Sequence, residues 1–147
     1  MKSNIPDVYI ANKLYAPSYI SLEAALSIYS IIPDIALHVT SITTLPTREF
    51  KNRYGSFFYR SCQKKAFTGY KLLQYEGFKI LIADKEKALV DFIYFSSRQR
   101  GSLDFKEERF ERDIISQLDW GRVLKYGKLF NKKTANILLD LKGWAGC

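Results

Sequence analysis

At 147 residues the chain has the length of one domain, enough to bury a core without disulfide or metal staples. Hydrophobic residues at 47% and charged residues at 26% exclude a disordered polyelectrolyte. Cys62 and Cys147 are the only thiols, which excludes a disulfide framework and a cysteine metal cluster.

The net charge of +8 is uneven. Residues 48–71 hold Arg48, Lys51, Arg53, Arg60, Lys64, Lys65 and Lys71 against Glu49 alone. A second basic stretch, 120–147, holds Arg122, Lys125, Lys128, Lys132, Lys133 and Lys142 against Asp140. Two basic regions in otherwise near-neutral sequence suit an anionic partner, nucleic acid or an acidic protein face. The N-terminus lacks a signal-peptide profile and no apolar run reaches membrane-spanning length. A reducing cytoplasm, with no membrane contact, is the expected setting.

In chain order, Ala16-Pro17-Ser18 announces the first element. Ser21 suits a helix N-cap, since its hydroxyl can accept an orphan N–H, and Leu22, Ala25, Leu26 and Tyr29 follow at helical spacing. Pro33-Asp34 ends that helix. His38 to Thr43 alternates as a β-branched strand. Leu45-Pro46-Thr47-Arg48 cannot continue a central ladder, because proline has no N–H to donate. A further strand, Phe57 to Arg60, follows the Tyr54-Gly55 turn, and Lys71–Tyr75 with Phe78–Ala83 reads as a hairpin across Glu76-Gly77.

Helices follow. Asp84 caps one carrying Ala88, Leu89, Phe92 and Phe95 inward. Asp104 is expected to cap another, with Phe110, Ile114 and Leu118 as its apolar stripe and Glu108 with Arg112 as a surface pair. Asp119 begins a short helix through Tyr126, and Asn131 caps the last, with Ala135, Leu138 and Leu141 inward. The order predicts an α+β fold spanning 1–147: an N-terminal helix, a mostly antiparallel sheet of about four strands, then a C-terminal set of helices.

Little of this is catalytic. His38 is the only histidine and Cys62 is not at ligand spacing from it, so neither a triad nor a zinc site is formed. Asp84, Glu86 and Asp91, with Lys85 or Lys87, offer the ingredients of a metal-dependent nuclease. Helical geometry opposes that reading: Asp84 is needed as the cap, Glu86 sits where the helix dipole favours it, and Asp91 is off Glu86's face. No glycine pair fits a phosphate loop, and no cofactor is implied. The 48–71 stretch interleaves Tyr54, Phe57, Phe58, Tyr59, Phe67 and Tyr70 with its cations, as a surface tracking nucleic acid would. The plainer account makes the aromatics core and the cations solvated. Strand periodicity accommodates Phe57 and Tyr59, but not so large a local excess of cations.

Six segments in fixed order carry a family resemblance: Tyr9 to Leu14, Tyr19-Ile20-Ser21-Leu22-Glu23-Ala24-Ala25-Leu26, Val39 to Thr44, Thr47-Arg48-Glu49-Phe50 through Gly55 to Arg60, Phe67-Thr68-Gly69-Tyr70, and Ile82 to Asp91. Together they resemble the effector domain of the AbiEi-type antitoxins, the transcriptional-regulator half of bacterial type IV toxin–antitoxin (abortive infection) systems. Leu118-Asp119-Trp120 and Leu124-Lys125-Tyr126 follow the same plan more loosely. The resemblance implies a non-enzymatic domain that counteracts a nucleotidyltransferase-like toxin, with no stable toxin complex required. Family members usually carry a winged helix-turn-helix ahead of this domain. Only about eight residues precede the matched region, too few for one, so promoter reading is not expected. The competing expectations are the Asp84/Glu86 nuclease and an orphan nucleic-acid-binding module using Lys64 and Lys65.

Overall fold

Short apolar strands dominate the middle of the chain, and the computed structural model, which describes residues 4–147, gathers six of them into one mixed sheet. The elements are α1 (Asp7–Leu14), β1 (Ser18–Ile20), α2 (Leu22–Ile28), β2 (Val39–Thr43), β3 (Arg48–Asn52), β4 (Gly55–Ser61), a 3₁₀ turn (Lys64–Ala66), β5 (Tyr70–Tyr75), β6 (Phe78–Ala83), α3 (Lys85–Arg100), α4 (Arg112–Ser116), α5 (Trp120–Gly127) and α6 (Lys132–Trp144). The strand order is β3-β4-β2-β1-β6-β5. The α+β class stands, but the sheet differs from the expected four mostly antiparallel strands. It has six, and the β1–β6 and β2–β4 pairings are parallel.

The two strands beyond the expectation escaped for different reasons. β1 is three buried residues wedged between Pro17 and the α2 cap, too short to show alternation. β3 is an edge strand whose charged residues are exposed on both faces, so it carries no apolar period. The expectation that ordered structure begins near Ala16 is also corrected. Helix α1 precedes it, started by Pro6, with Val8, Ala11 and Asn12 buried. Asn12 does ladder work: its side-chain amide accepts from the Leu81 N–H (2.8 Å) and donates to the Leu81 carbonyl (3.2 Å), where short β1 offers β6 no partner.

Turn chemistry sets the hairpins. Glu76 and Gly77 both have positive φ (48° and 85°), the two-residue turn whose twist matches the flanking strands. The β3–β4 turn is closed by Asn52, whose side chain accepts from the Tyr54 N–H at 2.8 Å.

The expected helix from Asp104 does not form. Asp104 does cap a single turn, accepting from the N–H groups of Lys106 and Glu107. The turn then ends at Arg109, at φ 62°, and the Glu111 N–H goes to the Ile31 carbonyl instead. This detour lets Phe110 pack on Phe92. Glu108 accordingly pairs with Arg100, not Arg112, and Arg112 stacks on Trp144. The caps expected at Asp84, Asp119 and Asn131 are present, accepting from the N–H groups of Lys87, Arg122 and Thr134.

Register separates the sheet's two faces. Phe57 and Tyr59 point to the α1 side, where the Tyr59 hydroxyl donates to the Ala11 carbonyl at 2.6 Å. Tyr19, Phe58 and Arg60 point to the side of α2 and α3. Helix α3 lies over β6 and is itself covered by α5 and α6, while the β4–β3 end of this face stays open.

Candidate functional site

Two of the family-like segments, Tyr19–Leu26 and Ile82–Asp91, meet at one buried point. The Lys87 ammonium, wholly inaccessible, donates to Asp91 Oδ1 (2.7 Å), the Ala66 carbonyl (2.8 Å) and the Tyr19 hydroxyl (2.9 Å). Asp91 Oδ2 in turn accepts from the Tyr19 hydroxyl (2.9 Å) and Ser21 Oγ (2.8 Å). All three ammonium protons are thereby used. Burial pushes the Asp91 carboxyl upward, opposed by the Lys87 charge and the hydroxyl donors; the Tyr19 phenol is raised far above its ordinary value by the same burial and by Asp91. The cluster is satisfied and closed, so it is a joint between β1 and α3, with no room for a substrate.

Ser21 is consequently not the side-chain cap that local sequence suggests. It occupies the cap position of α2 without a side-chain cap bond. Thr40, from β2, accepts the Ala24 N–H at 3.0 Å in its place.

The nuclease ingredients are separated. Asp84 is committed to the Lys87 N–H and the Tyr126 hydroxyl (2.7 Å), and Glu86 to the Asp119 N–H (3.1 Å). Both carboxylates also lie 3.8 Å from the Arg122 guanidinium, which balances part of their charge. Lys87 points into the interior cluster. Among the described residues no group of three or more His, Cys, Asp and Glu could hold a metal ion. Exposed His38 stacks on Phe58 at 4.6 Å, and burial pushes the Cys62 thiol up to about 11, which leaves it protonated at neutral pH.

The seven basic candidates do not form one face. Arg48, Lys51 and Arg53 lie at the β3 edge and Arg60 on β4, whereas Lys71 is on β5, the opposite edge of the sheet. Lys64 and Lys65 sit on the 3₁₀ turn of the crossover between these halves. A stretch contiguous in sequence is therefore spread across the sheet, because β2, β1 and β6 stand between β4 and β5. Even neighbours divide: Arg48 stacks on Tyr15 and Phe50 on the α1 side, Arg60 on Phe95 on the α3 side. Lys51 is paired with Glu49 at 3.3 Å, and Arg53 with the Tyr54 hydroxyl.

What the fold does assemble is a groove of about 580 Å³ between β4 and α3. An adjoining pocket at one end is lined by Arg60 and by Arg98 of α3, together with Thr47, Ser61 and Gln99. Arg98 is held by the Tyr94 hydroxyl (2.8 Å) and ring. Sequence reading missed it, because a cation in the last turn of a helix is already explained by the helix dipole. The far end runs out to Ile35 and Leu37, 86% and 89% exposed. No protein-family model, curated protein or solved structure matches the chain. No helix among the described residues is long and apolar enough to cross a membrane.

Proposed function

We propose that the chain is an effector domain of the AbiEi antitoxin type, a non-enzymatic component that counteracts a nucleotidyltransferase-like toxin. The observation that supports the reading is convergence. The Tyr19–Leu26 and Ile82–Asp91 segments carry the resemblance, and they supply every side chain of the buried Lys87–Asp91–Tyr19–Ser21 cluster.

In this reading the working surface is the open β3–β4 end, where cations without carboxylate partners offer contact to nucleic acid or to a protein partner. The test is co-expression with a nucleotidyltransferase-like protein encoded beside the chain's own gene. Restored growth is expected. Growth arrest unchanged by the chain overturns the reading. An orphan nucleic-acid-binding module is the second reading, favoured by Arg60 and Arg98, which have no carboxylate partner among the described residues; it requires salt-sensitive binding with no rescue.

A further inference from the structure

We propose that the groove between β4 and α3 is a nucleotide site, taking one phosphate at the Arg60–Arg98 mouth and a planar base farther in, against Phe58. The mouth is built for a tetrahedral anion. Arg60 and Arg98 both line it, and among the described residues neither has a carboxylate partner: Arg60 rests on the Phe95 ring at 5.5 Å, and Arg98 rests on the Tyr94 ring and donates to its hydroxyl at 2.8 Å. By contrast, Arg100 pairs with Glu108, Arg109 with Asp34 and Lys87 with Asp91. Thr47 Oγ1 accepts the Ser61 N–H at 3.0 Å, which leaves its own proton free to donate outward. Two fixed charges with hydroxyl and amide donors match a phosphate, and arginine suits its multi-oxygen geometry.

Farther in, the lining changes character. Phe58, with the His38 ring tilted against it at 4.6 Å, presents an aromatic wall, and the carboxylates of Glu23 and Glu49 flank it, Glu49 in an exposed ion pair with Lys51. Carboxylates there repel a second phosphate but accept from the amino and ring N–H groups of a base. The volume lies within the range of small-molecule sites. One phosphate, one aromatic surface and acceptors beyond it describe a single nucleotide, free or at the end of a strand.

This shares with the effector-domain reading only the β3–β4 region, and the two fail separately, since growth rescue and nucleotide binding are independent measurements. The experiment is calorimetric titration of the intact chain with the four nucleoside monophosphates, with inorganic phosphate, and with short single strands with and without a terminal phosphate. Saturable nucleotide binding is expected, at least about tenfold tighter than inorganic phosphate. Arg98→Gln, exposed and harmless to packing, should weaken it about tenfold, and Arg60→Gln similarly. Phe58→Ala should weaken nucleotide but not phosphate. Tighter binding of phosphorylated strands assigns the site to a strand end; equal affinities assign it to the free nucleotide. Circular dichroism verifies that each variant is folded. Absence of saturable binding by any monophosphate or strand overturns the proposal, as does binding indifferent to Arg98→Gln, or inorganic phosphate binding as tightly as nucleotide.

Discussion

Helix α3 carries cations to two very different destinations. Lys87, near its N-terminus, is entirely buried and bonded through all three protons; Arg98, near its C-terminus, lies open beside Arg60 with only aromatic support. The first charge is consumed in joining β1 to α3. The second pair is left to the solvent, or to whatever anion arrives. Charge count alone does not distinguish them, since both are cations of one helix. What separates them is whether the fold provides a carboxylate within reach.

The sharpest way to break this contrast is to unpair the buried end. Lys87→Met leaves Asp91 without its counter-charge, so a loss of about 3–5 kcal/mol is expected in urea denaturation. The double variant Lys87→Met with Asp91→Leu should recover part of that loss, because no stranded carboxylate remains.

Gly69→Ala probes the same joint through packing. Gly69 has φ +78°, and a Cβ there would meet Lys87 Cγ at 2.7 Å and Cβ at 2.9 Å. Left-handed strain and overpacking together predict a loss of about 3 kcal/mol by thermal or urea unfolding. Thr40→Val removes the cap that β2 lends to α2 and should cost about 1 kcal/mol in the same assay.

At the open end stability should hardly respond. Arg98→Gln is expected to shift it by less than about 0.5 kcal/mol and Arg60→Gln by no more than about 1 kcal/mol, the worth of its stacking on Phe95. A loss there as large as that at Lys87 would dissolve the distinction between the two regions.

A separate effect is one of pH, and it belongs to the packing side of the molecule. Burial raises the phenols of Tyr29 and Tyr59 from 10 to about 12. The folded chain therefore holds protons that the unfolded chain releases, and stability should fall as pH rises from about 10 to about 12. Urea midpoints across that window measure the slope, and Tyr59→Phe should flatten it.

The elements legible in the sequence were those specified by neighbours along the chain. Asp84, Asp119 and Asn131 cap their helices because a short polar side chain reaches an N–H three residues on, whatever surrounds it. The Glu76-Gly77 hairpin was legible for a similar reason. Ser21 had the same local chemistry, yet its hydroxyl went to Asp91, 70 residues away, and Thr40 took over the cap. Asp104 capped a turn that could not propagate, because Phe110 found its place on Phe92.

The candidate site shows the same division. Cationic residues between 48 and 71 were visible as composition, and Arg60 stands in the groove, but Arg98 belongs to another element and Lys71 to the far edge. By itself the sequence determined the α+β class, most of its helices, the Glu76-Gly77 hairpin, and the presence of surplus positive charge. Only the tertiary structure decided which cations are neutralised and which are free. Counter-charges come from elements distant along the chain, and the strand order that sets those distances results from packing apolar faces, which has no signature at any single position.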